Sequence, residues 1–251
     1  IDPKLFTYRK IKKFFLKKNK VKFIKNNLID EIKVQKINDN FPFFSLNKNI
    51  VGETHISKID KIAKYLKKNR SDYLLVTAPE NVAWALNIRG GDGPNSPVPN
   101  SRLIISKTKK IFLITKFKKA KKLIKENIIN SSQLLDIDNL PKKILQLKGN
   151  KFIIDDKSCS IYFEDILKTK FKIITKEDPI YLLKAIKNKT ETKNMISAHI
   201  LDGAALTKFL YWIKNINKKT INEVQAQNKL ESFRKLNKNY LYPSFDTIAG
   251  S

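Results

Sequence analysis

The sequence predicts an α/β chain: a mixed α/β domain, then two long helices that lead toward a further strand. Three observations predict it. Between residues 51 and 180, short β-prone apolar runs alternate with amphipathic stretches, the pattern of helices packed on a sheet. After Asn188 the strand-like runs give way to two long helical patterns, each opened by a capping signal. Apolar residues make up 41% of the 251, enough to fill real cores, and no run of 18 of them is present to suggest a membrane-crossing helix.

Taken in order, residues 4–18 place Leu5, Tyr8, Ile11, Phe15 and Leu16 at helical spacing, so an amphipathic helix with solvated lysines is expected; a helix lying on a membrane surface is the alternative. Residues 21–24 read as a short strand, and the Asn-rich stretch 38–49 around Pro42 as a linker. Residues 56–68 form a helix with Ile59, Ile62, Ala63 and Leu66 on one stripe. Residues 73–77 and 82–87 read as strands, and the Gly/Pro/Asn-rich stretch 90–100 as a loop. Strands at 103–106 and 111–115 flank Lys107-Thr108-Lys109-Lys110 as a hairpin. Helices follow at about 117–127 and 139–147, a strand at 152–155, a short helix at 159–167 and a strand at 171–175, with the domain ending near Asp178-Pro179. Asn188-x-x-Glu191 has capping-box spacing ahead of a helix to about 215, and Thr220-x-x-Glu223 ahead of a second to about 236. Phe245 to Ile248, between Pro243 and Gly250-Ser251, reads as a strand running into a turn. A strand needs a neighbour for its backbone groups, and Ile1-Asp2-Pro3 carries no initiator Met; the expectation is a piece of a longer protein.

The formal net charge is +28, which raises nucleic acid or an anionic surface as partners. The composition argues for a different origin. Lys, Ile and Asn are abundant together, as an A/T-rich coding sequence produces, while Arg occurs only as Arg9, Arg70, Arg89, Arg102 and Arg234. Base and phosphate recognition favours the planar fork of Arg, so no specific nucleic acid and no membrane partner is expected, and any polyanion binding is weak and salt-dependent. The single Cys159 gives no internal disulfide framework and points to a reducing compartment.

The residues offer no catalytic constellation. His55 and His199 are the only histidines, and neither sits at metal-ligand spacing; His199, beside Ala198 and Ile200 in a helical pattern, reads as a packed or capping histidine. Asp155-Asp156 closes a strand before Ser158, which fits turn or N-cap use, and Asp136 and Asp138 are no more specific. Gly90-Gly91-Asp92-Gly93 lacks both the phosphate-loop spacing and a following helix. The most distinctive string is Trp84-Ala85-Leu86-Asn87-Ile88-Arg89-Gly90-Gly91-Asp92. Its Arg89 and Asp92 flank a glycine pair, either as a strand-end salt bridge and turn or as a loop lining an entrance toward a neighbouring domain or subunit.

That string, with Pro97, Val98 and Ser101 after it, resembles the W-x-L-N-x-R-G-x-D segment of the Xaa-Pro aminopeptidases (aminopeptidase P) in their long three-domain form. Other segments agree in the same order. Asn27-Leu28-Ile29-Asp30 is similar to the family's N-L-V-D. Lys184-Ala185-Ile186-Lys187-Asn188, followed by Glu191, Met195, Ala198, His199, Asp202, Gly203, Ala204, Ala205 and Trp212, is similar to its first long catalytic-domain helix. Glu223, Leu230, Glu231, Phe233 and Arg234 match the next helix, and Ser244 to Gly250 resembles S-F-D-T-I-x-G. Two places depart from the pattern: Gly93 stands where a hydrophobic residue is usual, and Asn95-Ser96-Pro97 stands for Y-N-P.

The resemblance implies a metal-dependent aminopeptidase that removes the N-terminal residue when proline follows, cytoplasmic and homodimeric, with two divalent metal ions, manganese, in a pita-bread catalytic domain. It implies that residues 1–50 end a first creatinase-like domain, that 51–180 form a second creatinase-type α/β domain, and that 181–251 begin the catalytic domain. Every metal ligand of the family falls after the S-F-D-T-I-x-G string. No catalytic, cofactor-binding or metal residue is therefore expected among these residues, and the 251-residue polypeptide is expected to bind no metal and to be inactive. The alternatives are a non-catalytic interaction module and a creatinase-like relative with another substrate.

Overall fold

The computed structural model describes residues 1–15, 20–24, 27–32, 41–217 and 221–248. Helix α1 (Tyr8–Phe14) is shorter than its apolar stripe suggests, because the Thr7 side chain accepts the Lys10 N–H and fixes the start; positions 16–18 lie outside the described residues. Residues 21–24 form no strand. The Ile24 N–H reaches the Ile1 carbonyl at 3.0 Å and the Ile1 backbone nitrogen donates to the Lys22 carbonyl at 2.7 Å, but these isolated bonds make no ladder.

The stretch 38–49 is not a plain linker over its described part. It holds β1 (Phe44–Ser45) and the start of α2 (Lys48–Val51), and Phe43 is wholly buried. Residues 38–40 lie outside the described residues. The elements that follow are α3 (His55–Lys68), β2 (Tyr73–Val76), α4 (Pro79–Leu86), β3 (Ile88–Arg89), β4 (Arg102–Ser106), β5 (Ile111–Ile114), α5 (Phe117–Lys125), β6 (Leu134–Leu135), α6 (Leu140–Gln146), β7 (Lys151–Ile154), α7 (Ile161–Lys168), β8 (Lys172–Thr175) and α8 (Ile180–Ala185).

The protein divides into two compact units. The first gathers the residues up to Lys48 with Glu53–Asp92 and Pro97–Ile186; the second gathers Asn49–Gly52, Gly93–Ser96 and the residues from Lys187 onward. In the first unit six strands form one sheet in the order β6-β5-β4-β2-β7-β8, and β1 pairs separately with β3. β2, β7 and β8 run parallel, as do β5 and β6, while β4 is antiparallel to both β2 and β5. Helices cover both faces, so the central strands read as continuous apolar runs. The two-residue side-chain period sorts them. Leu74, Val76, Leu103, Ile105, Leu113 and Ile153 enter one core with Phe43, Ile62 and Leu66; Tyr73, Leu75, Ile104, Phe152 and Ile154 enter the other with Ile144, Cys159 and Phe171.

Residues 82–87 belong to helix α4, not to a strand. A short apolar run is compatible with either, and the ends decide it. Pro79 sits in the first turn, where its missing N–H costs nothing, and Asn87 ends the helix in the left-handed region at φ 56°. The strand–helix alternation, the loop at 90–101 and the hairpin of β4 and β5 follow the sequence reading.

The second unit contains α9 (Lys189–Asn215) and α10 (Glu223–Arg234). The capping box at Asn188 and Glu191 forms as expected. The cap of α10 is Asn222, whose side chain accepts the Gln225 N–H while Gln225 returns to the Asn222 N–H; Thr220 lies outside the described residues. Arg234 binds Asp202 through Nε and Nη2 at 2.7 and 3.2 Å and joins the two helices. Only Ala205 of α9 is buried, and Met195, Ile200, Leu206, Leu210 and Val224 stand exposed. Phe245 to Ile248 has strand composition but pairs with no strand among the described residues, and Ile248 is 93% exposed. An unpaired segment cannot satisfy a ladder, so the strand expected there is not formed.

Candidate functional site

His199 lies exposed on α9, with Nδ1 2.8 Å from the carbonyl of Met195 one turn back, so it is not packed. His55 opens α3, where burial lowers its pKa. Among the described residues no group of three or more His, Cys, Asp or Glu side chains could hold a metal ion. The two metal ions that the resemblance implies therefore find no fitting donor set among them.

The Trp84-to-Asp92 string is built around a buried cation. Lys58 lies on the α3 stripe with Ile62 and Leu66, and its stem is buried with them. Its Nζ donates to Asn87 Oδ1 at 2.7 Å and to the Trp84 carbonyl at 3.1 Å, and stands 4.2 Å from the centre of the Trp84 ring. Asn87 Nδ2 donates to the Glu53 carbonyl at 2.8 Å. The Trp and Asn of the string thus serve one cluster: the ring and carbonyl of Trp84 and the amide of Asn87 solvate an ammonium taken out of water. Sequence reasoning missed Lys58; the available signal is a lysine four residues before Ile62 and eight before Leu66 on an apolar face.

The backbone then turns through Gly90. A Cβ there would lie 2.9 Å from both the Phe43 ring and the Pro99 Cα, so only glycine admits this approach. Asp92 accepts from Lys119 Nζ in a short ion pair and from the Asn100 N–H at 2.6 Å. Arg89 instead turns Nη1 onto its neighbour's carbonyl, that of Ile88, at 2.9 Å. Asp92 pins the loop to α5.

Asp92 and Gly91 lie at the edge of a cavity of about 500 Å3 inside the first unit. Leu5, Ile114, Ile137 and Phe163 supply apolar wall, and Arg102 enters from β4. Arg102 Nη1 donates to Asn100 Oδ1 and to the Ser101 carbonyl, each at 3.0 Å, and its guanidinium carbon is 5.8 Å from the Phe163 ring centre. Burial lowers its pKa from the ordinary value. Arg89 is not among the residues lining this cavity.

A second polar cluster sits where β7 and β8 end. Asp155 makes a turn: Oδ1 accepts the Lys157 N–H at 2.9 Å and Oδ2 the Asp178 N–H at 3.0 Å, which bears out the turn reading of Asp155-Asp156. Asp178 Oδ1 accepts from the Ile180 N–H at 2.9 Å and Oδ2 from Asn81 at 2.8 Å, while Lys184 Nζ reaches Asn81 Oδ1 at 2.6 Å. Burial pushes the Asp178 carboxyl up to about 6, partly offset by those two donors. Cys159 is buried, its thiol pushed up by desolvation, and is chemically quiet. The Asp155 and Asp178 bonds anchor the sheet to α8.

Comparison with known proteins places this geometry. The family model for the creatinase/prolidase N-terminal domain matches residues 35–191. The Xaa-Pro aminopeptidase ApepP of Drosophila melanogaster is 30% identical over 265 residues, covering all of this chain and 43% of the relative. A probable Xaa-Pro aminopeptidase P of Laccaria bicolor is 30% identical over 253 residues, covering 94% of this chain and 38% of the relative. The 251 residues thus span about two fifths of the length of these relatives. In fold the protein is similar to the crystal structure of an X-prolyl aminopeptidase of Caenorhabditis elegans, described as a cytosolic enzyme with a di-nuclear active site. That likeness has a TM-score of 0.85 at 23% identity, over 99% of this chain and 43% of that one. The Xaa-Pro dipeptidase of Bacillus anthracis aligns with a TM-score of 0.56 at 19% identity, over 73% of this chain and 49% of that one. With the family model covering more than half of its length and the six-stranded sheet lying inside the matched region, the chain belongs to the creatinase/prolidase N-terminal domain family.

Proposed function

We propose that these residues supply the non-catalytic α/β unit and the opening helices of a metal-dependent Xaa-Pro aminopeptidase, which removes the N-terminal residue from peptides with proline second. The observation that carries this reading is the 30% identity to an Xaa-Pro aminopeptidase along the whole sequence. In this reading residues 1–50 end a first domain, 51–180 form a second and 181–251 begin the pita-bread catalytic domain. The whole enzyme is cytoplasmic and homodimeric, and uses two divalent metal ions, manganese, held by other residues of that enzyme. The apolar side chains that α9 and α10 leave exposed suit helices that pack against the rest of such a domain. No helix among the described residues is long and apolar enough to cross a membrane. The role open to these residues is therefore structural: they shape and support the catalytic domain, and no step of the hydrolysis is assigned to them.

The test compares the whole open reading frame with the 251-residue polypeptide. The whole protein, given manganese, should release the first residue from an X-Pro peptide and not from its X-Ala counterpart, and a chelator should abolish release. The 251-residue polypeptide should bind no stoichiometric manganese and release nothing. Turnover by that polypeptide alone, or proline-independent cleavage by the whole protein, would overturn the reading.

A further inference from the structure

We propose that the Arg102 cavity is a binding site for a small organic carboxylate with an apolar body. This site is separate from the aminopeptidase reading and does not depend on it. Its volume of about 500 Å3 lies within the range of small-molecule pockets. The two acceptors on Nη1, Asn100 Oδ1 and the Ser101 carbonyl, hold the guanidinium plane in place. The Nε and Nη2 edge has no partner among the described residues, and this is the side of the fork that takes a carboxylate through two parallel hydrogen bonds.

The charge around Arg102 favours an anion. Of the two acids in the lining, Asp92 is ion-paired with Lys119 and accepts the Asn100 N–H, while Asp136 accepts the Asp138 N–H and keeps its charge. Lys4 adds positive charge to the lining, and the nearby Cys159 thiol is kept neutral by burial. The Phe163 ring on one side of the guanidinium removes water and strengthens its pull on an incoming anion. Leu5, Ile114 and Ile137 complete the apolar lining. The wall formed by Leu5, Ile114, Ile137 and Phe163 is where an organic acid sets its hydrocarbon tail or ring, a contact that a bare phosphate does not make.

Calorimetric titration of the 251-residue polypeptide tests the assignment. The probes are phenylacetate, its neutral analogue phenylacetamide, inorganic phosphate, and the tripeptide Gly-Gly-Phe as acid and as amide. Phenylacetate should saturate one site, with phenylacetamide at least about tenfold weaker, as expected for losing hydrogen bonds to a charged partner. Arg102→Gln should weaken phenylacetate by a similar factor. Arg102→Lys keeps the charge and loses the fork, so it should weaken binding by a smaller factor; it also stands in if Arg102→Gln fails to fold. If only phenylacetate binds, the ligand is a free small acid; if the tripeptide acid binds as well or better and its amide does not, it is the terminal carboxylate of a peptide. Both outcomes support the site. Equal binding of acid and amide, binding unchanged by either Arg102 variant, tighter binding of phosphate, or no saturation by any acid would overturn it.

Discussion

Replacing Lys58 by methionine isolates what the buried ammonium does for the first unit. Met keeps the length of the stem and its burial, so little cavity is left. What disappears includes the hydrogen bonds from Nζ to Asn87 Oδ1 and the Trp84 carbonyl, at 2.7 and 3.1 Å, the contact with the Trp84 ring at 4.2 Å and the attraction to Glu53. Each hydrogen bond from a charged donor is worth about 1.5–3 kcal/mol and the cation–π contact about 1–2 kcal/mol. Against this, the variant no longer keeps a charge out of water, a relief of several kcal/mol. The two neutral acceptors left without a donor, Asn87 Oδ1 and the Trp84 carbonyl, decide the sign at about 1–3 kcal/mol each, so the net loss should be about 3 kcal/mol. Urea unfolding followed by tryptophan fluorescence measures it. Trp84 and Trp212 are the only tryptophans, so a Trp212→Phe background makes Trp84 the reporter of the first unit. With a slope of about 2 kcal/mol per molar, the midpoint should fall by about 1.5 M urea. Asn87→Gly keeps the left-handed backbone and removes the amide, so the double variant should cost clearly less than the two single losses added together. A loss under about 1 kcal/mol for Lys58→Met, or strict additivity with Asn87→Gly, would refute the idea that this cluster holds α3 to α4.

Three further outcomes are expected. Because Asp178 has its folded value raised to about 6 from 3.8, protonation favours the folded state, and its contribution grows as pH falls from 7 through 6 toward 4. The wild-type minus Asp178→Asn difference in unfolding free energy should shift in favour of the wild type by up to about 3 kcal/mol over that range, and a flat difference refutes the assignment. Gly90→Ala sets a Cβ 2.9 Å from the Phe43 ring and the Pro99 backbone and should cost about 1–3 kcal/mol. Gly203→Ala, with nothing within 4 Å on α9, should leave thermal stability unchanged or raise it by up to about 1 kcal/mol, as thermal melts of both will read.

Much of the architecture was legible in the sequence because the signals were local. The α3 stripe, the β4–β5 hairpin, the strand–helix alternation and the Asn188 capping box depend on periodicity and on residues within a turn of each other. The misreadings have a common cause. Residues 82–87 are apolar enough for a strand, and only the turn chemistry at both ends makes them helix α4. Residues 21–24 and 245–248 have strand composition, but a strand exists only where a partner satisfies it. β1, β3 and β6 are two residues long and carry no periodicity to read. In the candidate site the sequence marked Arg89 and Asp92 as a pair, whereas Asp92 found its cation at Lys119 on α5 and its edge of the cavity beside Arg102 on β4.

Residue order alone established the α/β class, the succession of most elements, the family resemblance, and the lack of any metal-binding spacing around the two histidines. Those follow from short-range patterns and from strings long enough to be specific. Which distant groups share a site came only from the packed fold: Lys58 with Trp84 and Asn87, Asp155 with Asp178, and Arg102 with Phe163 at a cavity with one apolar wall. The reason is physical. Local order is set by dihedral preference and hydrophobic period within a few residues, while the cost of burying a charge is met only by partners that sheet pairing and helix packing bring from dozens of positions away.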